Sequence, residues 1–144
     1  MAFLGSLDIS GSALTAQLYR MDIVLQNISN AETTVTENGG PYRRKQAVFQ
    51  ERPLSFESAL QNARNRQPKG GVRVAEIVED QREFRMVYDP TDPMADENGY
   101  VQYPNVDTTE ERIDLMAAST AFVSNMTALS VVKAMAMKAL EIGK

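Results

Sequence analysis

Leu4, Leu7, Leu14, Leu18, Met21, Leu25 and Ile28, with Gly11 filling the remaining step, follow one another at alternating spacings of three and four. A second row, Leu115, Ala118, Phe122, Met126, Leu129, Val132, Ala136 and Leu140, runs near the other end of the 144-residue chain at steps of three and four. Such spacing puts one apolar stripe on an α-helix, as in a heptad repeat, and the stripe needs a partner to cover it. Both stripes are widened. Ile9, Ser12, Ala16, Tyr19 and Ile23 extend the first, and Ile113, Met116, Val123, Val131 and Met135 give the second helix another apolar face. A helix that is apolar on several sides needs more than one neighbour. The two ends are expected to pack on each other as a coiled coil and to assemble with further chains, the fifteen residues of the two rows forming the seam.

Asp8, Ser10 and Gly11 predict a break or cap early in the first helix, leaving its main length over 12–30. Asn27, Ser29, Asn30, Thr33 and Thr34 predict a frayed end, because such side chains compete for backbone hydrogen bonds. Thr108, Thr109, Glu110 and Glu111 predict an N-cap and an acidic first turn for the second helix. Strand signals lie between, over 42–50, 72–78, 84–88 and 100–103. Gly39-Gly40-Pro41, Gly70-Gly71, Pro90 and Pro93 punctuate them, and Asn98-Gly99 suits a type I′ turn. Residues 53–68 read as a polar loop or insertion. The fold class is α+β: long N- and C-terminal helices (1–33 and 109–144) packing as a coiled coil, with a small β-rich middle domain (34–108).

The chain has no histidine and no cysteine. That excludes thiol nucleophiles, disulfides, Ser-His-Asp triads and the common zinc sites. No enzyme activity, catalytic residue, cofactor or metal is expected. Asp89, Asp92, Asp96 and Glu97 crowd within nine residues, but they lack the ligand spacing and central glycine of a calcium loop and read as turns. Neither glycine pair has the Lys-Ser/Thr of a phosphate loop.

The net charge of −4 is segregated, with residues 41–73 at +6 and residues 74–111 at −9. Blocks of opposite sign pair within a molecule or head to tail between copies. Arg43, Arg44 and Lys45 read as a solvated strand face or a subunit contact. The acidic balance argues against nucleic acid. No run of 18 consecutive apolar residues occurs, so insertion into a membrane is not expected. The N-terminus lacks the layout of a cleaved secretory signal, since Asp8 interrupts the apolar residues and no cation precedes Arg20. A soluble adaptor whose apolar helices dock on a partner protein is the alternative reading.

Particular motifs add a family likeness. Leu7-Asp8-Ile9-Ser10-Gly11-Ser12-Ala13-Leu14 and Gln26-Asn27-Ile28-Ser29-Asn30-Ala31 resemble the N-terminus of the bacterial flagellar rod and hook axial proteins. Tyr88-Asp89-Pro90, then Pro93 to Val101, and Tyr103-Pro104-Asn105-Val106 are similar to the proximal rod proteins of that family. The resemblance implies a structural subunit of the basal-body rod, with its terminal helices inside and its β-rich middle outside. It implies partners among other flagellar rod proteins and copies of the chain itself, the inner-membrane ring base and a rod–ring adaptor. It also implies export by the flagellar type III apparatus, without a cleaved signal, to the periplasmic part of the basal body.

Overall fold

The computed structural model describes residues 2–37, 39–53, 56, 60 and 70–142, and the side chains of all of these but residues 2–4. Most of the expected polar insertion at 53–68 lies outside the described residues.

Helix α1 spans Ala2–Ser29 without interruption. The break expected at residues 8–11 does not occur. Ser12 donates its hydroxyl to the Ile9 carbonyl (2.7 Å) and Thr15 to the Gly11 carbonyl (3.2 Å), so the helix continues through Gly11. A glycine in a helix interior costs only about 1 kcal/mol against alanine, less than a well-packed apolar face supplies. The end of α1 is not frayed either. Asn30 donates through its backbone and side chain to the Gln26 carbonyl, and Tyr42 N–H donates to the Thr33 carbonyl (3.1 Å). Ala31, Tyr42 and Val106 close over this end as a small apolar cluster.

Strand β1 (Lys45–Glu51) pairs antiparallel with β2 (Val72–Glu79). The register runs from Lys45↔Glu79 to Glu51↔Val72 and skips Ala75, a bulge opposite the step from Val48 to Phe49. The ribbon lies on α1. Val72 N–H donates to the Ser12 hydroxyl at 3.0 Å, and Gly71 comes so close that a Cβ there would sit 2.5 Å from Ser12 Oγ. Gly71 also has φ +145°, which disfavours any side chain.

Strands β3 (Arg85–Tyr88) and β4 (Tyr100–Tyr103) form a second, separate antiparallel pair. The turn before β4 closes one residue earlier than the Asn98-Gly99 pair suggests. Gly99 N–H donates to the Asp96 carbonyl and Asp96 N–H to the Tyr100 carbonyl, both at 2.9 Å. Gly99 at φ +79° is thus the last residue of a three-residue loop rather than the second centre of a type I′ turn. The Asp96 carboxylate accepts from Asn98 and Tyr100 N–H, and Asp89 and Asp92 cap the preceding turns in the same way.

Helix α2 spans Thr108–Ile142 and is capped by Asp107, not by a threonine. Asp107 Oδ1 accepts from Thr109 N–H at 2.8 Å, and its carbonyl accepts from Glu111 N–H at 3.0 Å. The helices run antiparallel: Asn27 near the end of α1 meets Glu111 near the start of α2, and Arg20 meets Asp114. The architecture is α+β, two long helices with two small β-ribbons between them.

Candidate assembly interface

Among the described residues, two of the four largest fully buried side chains are polar, Glu111 and Asn27, at 0% and 1% exposure. They meet at the place where α1, β1 and α2 converge. Asn27 uses its whole amide. Nδ2 donates to the Lys45 carbonyl and to Glu111 Oε2, and Oδ1 accepts from Lys45 N–H and the Tyr42 hydroxyl, all at 2.9 Å. The other Glu111 oxygen takes the Nε–H of Arg44 at 2.5 Å. The Arg44 guanidinium also lies 3.6 Å from carboxylate oxygens of Asp80, Glu110 and Asp114. The Arg44 backbone is fixed as well: its N–H donates to Asn105 Oδ1 (2.9 Å), and its carbonyl accepts from Asp80 N–H (2.8 Å).

The basic and acidic blocks therefore pair within one chain at this joint. Arg44 is 4% exposed, so the expectation of a solvated face or subunit contact fails for it. Glu111, expected as part of a helix cap, is a buried ligand of that arginine. Removing one partner of such a pair leaves an uncompensated buried charge, at a cost of roughly 3–5 kcal/mol. Asn105, in the Pro104-Asn105-Val106 segment, extends the network by donating to the carbonyls of Asp80 and Arg82. The signal open to sequence reading was an asparagine, Asn27, set among the apolar residues of a heptad helix. Its partners lie 15 to 84 residues away, beyond the reach of any local pattern.

Ionisation follows the geometry. Burial, with the negative charges of Glu111 and Glu79, raises the Tyr42 phenol above its ordinary value. At Asp80 burial pushes upward, but hydrogen bonds from Arg82 and the charges of Arg82 and Arg44 outweigh it, leaving the carboxyl below the usual range. Asp107 is held low by the helix N–H groups of Thr109 and Glu110.

The expected seam residues fall into three groups. Ala118 is fully buried. Leu7, Leu14, Met21, Ile28, Leu115, Phe122, Leu129, Val132 and Ala136 are half-buried in the single chain. Leu18, Leu25, Met126 and Leu140 are exposed, and the Leu4 side chain lies outside the described residues. The line of α1 that is most covered, Ser12, Ala16, Ile23, Val24 and Asn27, runs beside the leucine row. On α2 the second apolar face is open, with Met116 at 71% exposure and Ile113, Val123, Val131 and Met135 all exposed.

Four hydroxyl side chains of that helix are bonded to its own backbone. Thr120, Ser124, Thr127 and Ser130 each donate a hydroxyl to the carbonyl four residues earlier, at 2.9–3.0 Å. A hydroxyl satisfied in this way can be covered by an apolar neighbour at small desolvation cost. By length and composition α2 is also long and apolar enough to cross a bilayer, which the rule of consecutive apolar residues missed. Its interspersed Thr, Ser and Ala break up the run without making the helix polar.

Known proteins point the same way. The family model described as flagellar basal body rod FlgEFG protein, C-terminal, matches residues 97–142, which hold β4, the Asp107 cap and α2. The flagellar basal-body rod protein FlgC of Bacillus subtilis (strain 168) is 48% identical over 96% of this chain and 97% of its own length. FlgC of Escherichia coli O6:H1 is 41% identical over the whole of both chains. FlgC of Borreliella burgdorferi is 36% identical over 99% of this chain and 98% of its own. With likeness of this degree from end to end, the chain belongs to the family of the flagellar basal-body rod protein FlgC, structural subunits of the rod.

Proposed function

We propose that the chain polymerises with its own copies and with other flagellar rod proteins, through helix faces that a single subunit leaves open, into the tubular shaft that transmits torque. The fifteen-residue seam is the inner part of that contact, and the open face of α2 extends it. The observation that carries this reading is α2 itself, a 35-residue helix whose buried residues, among those described, are Glu111 and Ala118 alone. Covering side chains such as Met116, Val123 and Met135 on a neighbour contributes about 1.5–3 kcal/mol each before ordering costs.

The reading asks for no catalysis, cofactor, nucleic acid or insertion into the bilayer. It includes contacts with the inner-membrane ring base and a rod–ring adaptor, and a place in the periplasmic part of the basal body. It also includes passage through the flagellar type III apparatus with the N-terminal helix retained. Ser12, Arg20 and Asn27 of α1 hold the ribbon and α2 in place, which supports keeping that helix in the finished subunit.

Leu25→Glu and Met116→Glu test the proposal, because both positions are exposed in the single chain. The purified variants should melt like the parent and still be exported, yet cells carrying either should build no rod and fail to swim. Arg73→Glu, at an exposed position of β2, is the control and should swim. Normal swimming with both changes present would end the proposal.

A further inference from the structure

An apolar row of residues at steps of three and four matches a second such row in more than one alignment. Sliding one helix by a turn or a heptad brings apolar side chains opposite apolar side chains again, so the rows cannot choose among these positions. Something else must fix α2 against α1. The joint of Asn27, Arg44 and Glu111 has the required properties. It is buried and directional: Glu111 has one oxygen on Asn27 of α1 and the other on Arg44, the residue before β1. After a slip of one turn Glu111 would face Ile23 or Ala31 in place of Asn27, both buried and apolar. Such a misplacement is penalised, because a buried carboxylate set against apolar side chains loses its solvation without a hydrogen-bond donor to replace it.

The same pair is a poor device for stability alone, since buried ion pairs are often replaced by apolar residues of similar volume at no loss. We infer that the Arg44–Glu111 pair, held by Asn27, is a register lock that positions the assembly faces of α1 and α2 relative to each other. The inference rests on the polymerisation reading above, in which those faces meet neighbouring subunits.

The test uses the full chain with Arg44→Met and Glu111→Leu together. Asn27 keeps its bonds to Lys45 and Tyr42, while Arg82 and Arg20 still serve Asp80, Glu110 and Asp114. Because the chain has no cysteine, single cysteines at Asp22 and Ser119 accept spin labels cleanly, and both sites are exposed. In the isolated parent the label–label distance should form one narrow population. In the double variant, at an equal or higher melting temperature, it should broaden or shift by about 5 Å or more, one helical turn. Unlabelled cells with the double variant should export the subunit and lose swimming.

An unchanged narrow distance overturns the lock, and so does normal swimming with a shifted distance. A double variant that does not fold overturns it too, because the pair would then hold the fold rather than choose its register. The distance is read on the isolated subunit, so it decides whether the pair fixes the register even if Leu25→Glu and Met116→Glu cells swim and the polymerisation reading falls; swimming of the double variant counts against the lock where those cells do not swim.

Discussion

An asparagine amide offers one donor side and one acceptor side, the same pair that a peptide group presents to a neighbouring strand. Asn27 uses this to grip Lys45 at both its N–H and its carbonyl, so that a helix side chain takes the place of a third strand at the start of β1. The Tyr42 hydroxyl supports the same oxygen, and its elevated pKa gives the joint a pH dependence of definite sign. The fold favours the neutral phenol. Its contribution is therefore complete below the ordinary tyrosine value near 10 and is lost as pH rises through the elevated one. Tyr42→Phe should cost about 1 kcal/mol at neutral pH, one hydrogen bond with its acceptor still served by Lys45. Melting temperature followed from pH 8 upward should then fall less steeply in the variant than in the parent; parallel curves would mean that the phenol does not titrate with folding. The carboxyls of Asp80 and Asp107 carry the opposite sign, since both are depressed. What they contribute is present above about pH 4 and lost as the pH falls through their folded values.

Glycine is used in contrasting ways by the two halves of the fold. At Gly71 the backbone meets Ser12 at a spacing that no side chain could share, whereas at Gly11 an added Cβ would meet nothing within 4 Å. Gly11→Ala should therefore stabilise the isolated chain by about 1 kcal/mol, a rise of about 3 °C in melting temperature. Should swimming fail although the variant is more stable, the bare α1 surface at Gly11 faces another subunit; if the melting temperature falls instead, the helix is not continuous through this residue. The contrast also marks what local pattern could reach. Period and punctuation located both helices, the four strands and the turn character of the acidic loop, because those depend on near neighbours. They misjudged Gly11, where tertiary packing overrides a weak propensity, and Asn98-Gly99, where the Asp96 carboxylate draws the turn back by one residue. Arg44, Asn105 and Glu111 were beyond local pattern altogether. Their meaning lies in partners brought from the far side of the chain, and a charged residue on paper does not disclose that it will be buried.

The whole molecule is unevenly held. α1 is fastened at Ser12, Arg20 and Asn27 to three different neighbours, while α2 is fastened firmly through its first turns and, among described residues, has none fully buried after Ala118. Hydrogen exchange on the isolated protein should show protection greatest around residues 108–118 and declining steadily toward Ile142, because protection follows local burial and contact. Uniform protection along α2 would indicate that the single chain already closes its own bundle. A bar held hard at one end and lightly beyond it acts as a lever, and α2 is one: about 24 residues, or about 36 Å, continue past the last fully buried contact, steadied by half-buried side chains such as Phe122, Leu129 and Val132. Over that length an angular play of about 5° at the base becomes about 3 Å at the tip, close to the rise of two residues. The accuracy of a shaft built from such levers is then decided at the fulcrum, by a few hydrogen bonds lying well away from the tips where neighbouring subunits would be met.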